Sequence, residues 1–209
     1  MDNKWTKYIL LTVVTGVLAY NSVYLKKLDA KKEITEANLN PAEFAQKFWI
    51  EKFTPFCIRA VEVNSFKKML KEDTEKVFKE LASMARIGSS SCFLIKGEGS
   101  IISVSENNVI VAAKSGAEVS EVRLTTGLYF GNAVRDVSGL IKMGDFANTI
   151  EYNSISSELN KIVQSEIISP LKAKAKKGET IHFIGCAEIN REQIDVNSIQ
   201  LLPVQIRFK

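Results

Sequence analysis

The residues from Cys92 to Val104 (Cys-Phe-Leu-Ile-Lys-Gly-Glu-Gly-Ser-Ile-Ile-Ser-Val) constrain this chain more than any others. They read as one long β-strand with Gly97 and Gly99 inside it. Glycine within a strand commonly marks a bulge or a sharp bend. Glu106-Asn107-Asn108 then turns the chain, Val109 to Ala113 forms a second strand, and Ser115-Gly116 turns it again. Val119 to Thr126 places Val119, Val122 and Leu124 among polar residues, as a half-buried third strand does. The Gly97-Glu98-Gly99 pair is no phosphate loop, because the helix and lysine that such a loop requires do not follow it.

A long amphipathic helix comes next, from about Glu151 to Lys176, with Ile155, Leu159, Ile162, Val163, Ile167 and Leu171 on one face. Pro170 should kink or weaken its last turn. Segments 180–189 and 199–208 are two further strands, and Pro203 inside the second suits an edge or a bulge. The order β-β-β-α-β-β predicts an α+β fold, an OB-like five-stranded barrel. In it the bent first strand pairs with both the second and the fourth, the helix plugs one end, and ligands usually meet strands two and three. The alternative is an open antiparallel sheet with one helix across it.

Upstream of the strands lies a helical arm, 27–89, which makes three expected parts: 1–26, 27–89 and 90–209. Asn40-Pro41-Ala42-Glu43 reads as a helix start, with Asn as cap and Pro in the first helical position. Phe44, Phe48, Trp49 and Phe53 follow at helical spacing, a core pattern rather than a ligand box, and Pro55 ends the segment. A short helix at about Ser65 to Leu70 is expected. Asp73 then caps another, lined by Val77, Phe78, Leu81 and Met84 and stopped at Gly88.

At the N-terminus, Lys4 and Lys7 precede an apolar run from Tyr8 to Leu25. A membrane-spanning helix needs about 20 apolar residues, with a lower limit near 17. A cleaved signal and an uncleaved anchor both fit the run. The missing small-residue cleavage site favours the anchor. Lys26, Lys27, Lys31 and Lys32 behind the run pull against export of the body.

Composition excludes several classes. The net charge of +4, with lysines and acids interspersed, gives no nucleic-acid footprint. Cys57, Cys92 and Cys186 lie far apart and His182 is the only histidine, so neither a zinc site nor a disulfide-dense scaffold is expected. Nor does any residue pattern call for a cofactor.

Residues 128–148, between the third strand and the long helix, hold the densest mixture of glycine, amide and opposite charge. Long connections tend to be functional. The candidate ligand-binding residues are therefore Asn132, Arg135, Asp136, Asp145 and Asn148. Arg135 could hold a carboxylate, phosphate or sugar hydroxyl in its planar fork, oriented by Asp136 or Asp145. The favoured reading is a structural ion pair pinning a long loop, since charged pairs often fix loop geometry. Plainer roles are also open to the others: Asn132 suits a turn, Asp145 a backbone bond, and Asn148 or Asn153 the helix cap.

Several segments together resemble the bacterial domain of unknown function 2291 family. They are Lys27-Leu28-Asp29, Phe48-Trp49, Phe93 to Gly99, Phe130-Gly131-Asn132-Ala133-Val134-Arg135-Asp136, Asp145 to Asn148, Ser157 to Asn160 and Gly185 to Glu188. The resemblance implies an exported, membrane-tethered protein of the kind grouped with sugar-uptake transport systems. The sequence departs from the family in having no lipobox cysteine near its apolar run.

Cys92 and Cys186 would sit on neighbouring strands, where either a cross-strand disulfide or two buried thiols would fit. His182, on an apolar strand, reads as a packed histidine, and Glu188 as solvated. The leading expectation is a non-catalytic binding or accessory module outside the cytoplasmic membrane, held there by its N-terminal helix, with a sugar or a transporter component as partner and no nucleic acid. The rival is an enzyme acting on a sugar or cell-envelope polymer through paired carboxylates such as Asp136, Asp145 or Glu188.

Overall fold

A computed structural model describes Trp5, Tyr8, Val13 and residues 40–82, 90–116, 118–129, 131–196 and 198–209. Two compact units divide the chain, Met1–Asn38 and Leu39–Lys209. The expected anchor lies outside the described residues except for Tyr8 and Val13. Among the described residues no helix is long and apolar enough to cross a membrane.

The second unit begins with α1 (Pro41–Phe48), whose start is as the sequence predicts. Asn40 Oδ1 accepts the amides of Ala42 and Glu43 at 3.1 and 3.4 Å. Pro55 does not end the helical path. A π turn (Trp49–Phe53) leads into a short helix (Thr54–Phe56) and a 3-10 turn (Cys57–Arg59). Pro170 is passed in the same way later in the chain, by a π turn at Val163–Ile168. A proline offers no N–H to the carbonyl four residues back, and its ring crowds that carbonyl. Widening the turn just before it removes the conflict without breaking the helix. At the second site Ser169 Oγ donates to Gln164 O at 2.7 Å, satisfying one displaced carbonyl.

A two-residue strand β1 (Val61–Glu62), unforeseen in the sequence, leads into α2 (Val63–Glu72) and α3 (Thr74–Glu80). The first of these helices is longer than expected because Glu62 caps it, its Oε2 accepting from Asn64 N and Ser65 N at 2.9 and 3.0 Å. Asp73 caps the other, as expected, by accepting from Lys76 N at 2.9 Å. Met84 and Gly88 lie outside the described residues.

The strands are β2 (Ser90–Val104), β3 (Asn108–Ser115), β4 (Glu118–Thr125), β5 (Thr180–Asn190) and β6 (Ile199–Phe208). They form a six-stranded sheet with β1, in the order β1-β2-β3-β4-β6-β5. One edge of β2 pairs with β5 from Ser90↔Asn190 to Ser100↔Thr180. Its other edge takes β1 at Ile95 and Lys96, then β3 from Gly99 to Val104. β4 joins β6 in parallel, and β6 joins β5 antiparallel. The pairings therefore return to β2, which reaches both expected partners. Between β4 and β5 run α4 (Ala133–Ser138), α5 (Thr149–Ile162), the second π turn and α6 (Ser169–Lys174).

Because strand side chains alternate between faces, β2 and β5 present apolar groups on both. One cluster gathers Phe93, Ile95, Val109, Val111, Val122, Leu124, Ile181, Phe183 and Leu201. Val63, Phe66 and Leu70 of α2 and Val77 and Phe78 of α3 complete it, so the helical arm is core rather than appendage. The other cluster uses the opposite face, through Cys92, Leu94, Cys186 and Leu202. Against that face pack Phe48, Trp49 and Phe53, together with Ile155, Leu159 and Ile162 of α5. The long helix thus covers this second face of the strand wall, while Leu171 and Ala175, beyond the π turn, join the first cluster. This corrects its expected role as the plug.

Candidate functional site

The connection from 128 to 148 folds around α4. Its start is fixed by Tyr129, whose hydroxyl accepts from Ala133 N at 3.3 Å, while Asn132 makes no side-chain cap bond. Burial pushes the Tyr129 hydroxyl up to about 12. Asn160 Nδ2, from α5, donates to Gly131 O at 2.9 Å and ties the loop down.

Arg135 and Asp136 are 3% and 2% exposed. Arg135 Nε donates to Asp136 Oδ1 at 2.7 Å. Nη1 donates to Asn153 Oδ1 at 3.4 Å, and the guanidinium carbon sits 3.8 Å from the centre of the Tyr152 ring. Every face of the guanidinium that these contacts use is turned inward. Asp145, exposed in the turn Met143–Asp145, accepts from Lys142 N at 3.2 Å. Asn148 caps α5 by accepting from Glu151 N at 2.9 Å. Of the five candidates, the structure joins Arg135 and Asp136 directly and gives Asp145 and Asn148 local turn and cap bonds.

The three cysteines are buried free thiols. Burial raises Cys57 and Cys92 to about 12, and Cys186 is also well above the usual thiol range. The thiolate is the reactive form. A thiol-modifying reagent near pH 8 should therefore leave all three unmodified in native protein and label all three after denaturation. Rapid native labelling of any one would contradict this burial.

A larger opening lies on the strand wall. A cavity of about 710 Å³ is lined by Lys96, Glu98, Lys114, His182, Ile184 and Arg207, with Thr54, Glu62 and Ile167 among its other walls. The ladder sets two rows across β2, β5 and β6: Lys96–Ile184–Gln205 and Glu98–His182–Arg207. His182 is not packed in the core as expected. Its position in the alternation turns it outward, its side chain is 45% exposed, and its Nε2 lies 3.2 Å from Glu98 Oε2. Lys209 Nζ meets the other oxygen of Glu98, and this bond first, then His182, holds that carboxyl below its usual range. Lys96, Lys114 and Arg207 were not singled out by sequence. The signal available was charge on alternate residues of three strands, visible only once register is known.

A family model described as a predicted periplasmic lipoprotein of the domain of unknown function 2291 matches residues 13–207. The chain belongs to that family. Its description implies a membrane-associated protein on the exported side of the membrane. No curated protein matches this domain of unknown function 2291 chain. Among solved structures, an OB-fold protein from Thermotoga maritima is similar over 83% of this chain and 100% of its own length, at 22% identity and a TM-score of 0.71. That likeness shows the fold.

Proposed function

We propose that the protein is an exported, membrane-tethered, non-catalytic binding module that serves sugar uptake, its strands closing into an OB-type barrel whose wall carries the binding groove. The observation that carries this reading is the 710 Å³ groove. Small-ligand pockets span about 300–1,000 Å³ and combine apolar walls with a few placed polar groups. Ile167 and Ile184 supply such a wall here, and Thr54 and Gln205 supply neutral hydrogen-bonding groups. Asp136, the first acid of the paired-carboxylate reading, is instead held by Arg135 in the protein interior, where it has no face to offer a glycosidic oxygen.

The tether is Tyr8 to Leu25, which is long enough to span, and no cysteine stands near it to take a lipid. Full-length protein should fractionate with membranes at an unlipidated mass, and a chain beginning at Lys27 should be released as soluble protein. A full-length chain found intact in the soluble fraction would remove the anchor. For the groove, a thermal-shift screen of the full chain in detergent against sugars and sugar phosphates should yield at least one stabilising ligand, and Ile184→Asp should abolish the response.

A further inference from the structure

We propose that the groove recognises an organic anion, a carboxylate or phosphate on a sugar-sized body, through Lys96, Lys114 and Arg207. This rests on the reading of the groove as a binding site and names the chemistry it selects.

The charges in the groove do not cancel one another. Of its two carboxylates, Glu62 is occupied at the start of α2, accepting two backbone amides at 2.9 and 3.0 Å. Glu98 is flanked on one oxygen by Lys209 and on the other by His182. In the same row His182 stands between Glu98 and Arg207, so the imidazole rather than the guanidinium takes up the acid. Lys96, Lys114 and Arg207 remain, and none of their side chains has an ion-pair or hydrogen-bond partner among the described residues. Lys209 offsets Glu98, and Glu62, beside Lys96 in the ladder, keeps its charge while capping α2. The three cations still outweigh that one carboxylate and produce a positive field focused by the low-dielectric wall beneath. The planar fork of Arg207 matches a carboxylate or phosphate in two parallel bonds, while the lysines act as point charges.

The apolar wall sets the rest of the ligand. Ile184 lies between Lys96 and Gln205 in one row, and Ile167 approaches from the second π turn. Thr54 comes from the residue just after the first π turn. Both widened turns thus place a residue at the groove, and π turns are frequent at functional sites. A pyranose offers what these walls accept, a C–H face for the isoleucines and hydroxyls for Thr54 and Gln205. A nucleobase is a poorer fit, since Phe183 is buried and unavailable for stacking.

The test is calorimetric titration of the full chain in detergent with glucuronate, glucose 6-phosphate, glucose and inorganic phosphate, at low and high salt. Glucuronate or glucose 6-phosphate should bind, glucose should not, and binding should weaken as salt rises. Arg207→Gln and Lys96→Gln should each weaken binding about tenfold, with unliganded melting temperatures unchanged as the control for folding. Glucose binding as tightly as glucuronate, lost in Ile184→Asp, would overturn the anion assignment and leave the binding module standing. Inorganic phosphate matching glucose 6-phosphate would overturn the sugar-sized body. Silence from all four probes would overturn the anion proposal, and a wider ligand screen that also stayed silent would overturn the binding reading with it.

Discussion

Arg135→Ala should lower the unfolding temperature of the ligand-free protein by roughly 6–20 °C. The substitution removes the only cation bonded to Asp136 among the described residues and strands a carboxylate that is 2% exposed. Breaking a buried pair from one side typically costs about 3–5 kcal/mol, because the remaining charge stays desolvated and uncompensated. In a domain of this size each kcal/mol shifts the midpoint by about 2–4 °C. The contact with the Tyr152 ring, at 3.8 Å, is lost as well. Two companion variants separate charge from geometry. Arg135→Lys keeps the charge but cannot reproduce a fork that meets Asp136 and Asn153 together while lying on an aromatic face, so it should recover only part of the loss. The double variant Arg135→Met, Asp136→Leu removes both charges and should recover most of it, as replacement of buried ion pairs by packed apolar groups often does. Urea or thermal unfolding reads all three. If Arg135→Ala cost less than about 1 kcal/mol, the pair would not be pinning the loop.

The same pair shows what the sequence could and could not convey. Its local elements announce themselves: Asn40 and Asp73 cap the helices they were expected to cap, and the strand alternation is plain. The long first strand with its glycines is also readable, because bending is a local property of backbone that lacks Cβ. The partners of Arg135 other than Asp136 are not. Tyr152 and Asn153 come from the next helix, and nothing in their own surroundings reports a cation above them. The sequence offers either Asn148 or Asn153 as the helix cap, and Asn148 fills that role. The long helix was readable as amphipathic, but amphipathicity does not say which of two apolar faces of a strand wall it covers. Since β2 and β5 are apolar on both sides, either face was open to it. The cationic groove is hidden for a related reason. Lys96, Lys114 and Arg207 come from three strands and meet only when register is fixed, and a one-residue slip would turn each of them to the other face.

Register depends most on Gly99, and Gly99→Ala should be the more damaging of two small changes in β2. At Gly99 the strand pairs with Ala113 on one edge and Ile181 on the other, so it is held on both sides where it passes from β5 alone to β5 and β3 together. A methyl group there would fall 2.1 Å from the carbonyl oxygen of Ala112 and 2.7 Å from the α-carbon of Ala113. Those are backbone atoms in a ladder, and no rotamer change moves them. At Gly97 the added methyl would meet the Phe183 ring at 2.6 Å and the Val63 side chain at 3.2 Å, which can shift at the cost of some packing. Overpacking of the second kind costs about 1–3 kcal/mol. Displacement of a paired strand should exceed the upper end of that range, or roughly 6 °C or more in midpoint for a domain of this size. Hydrogen exchange should show where the difference arises: in Gly99→Ala the amides pairing β2 with β3 should lose protection, and in Gly97→Ala they should keep it. Equal losses in the two variants would mean that β2 turns from one partner to the other without depending on close backbone approach at Gly99.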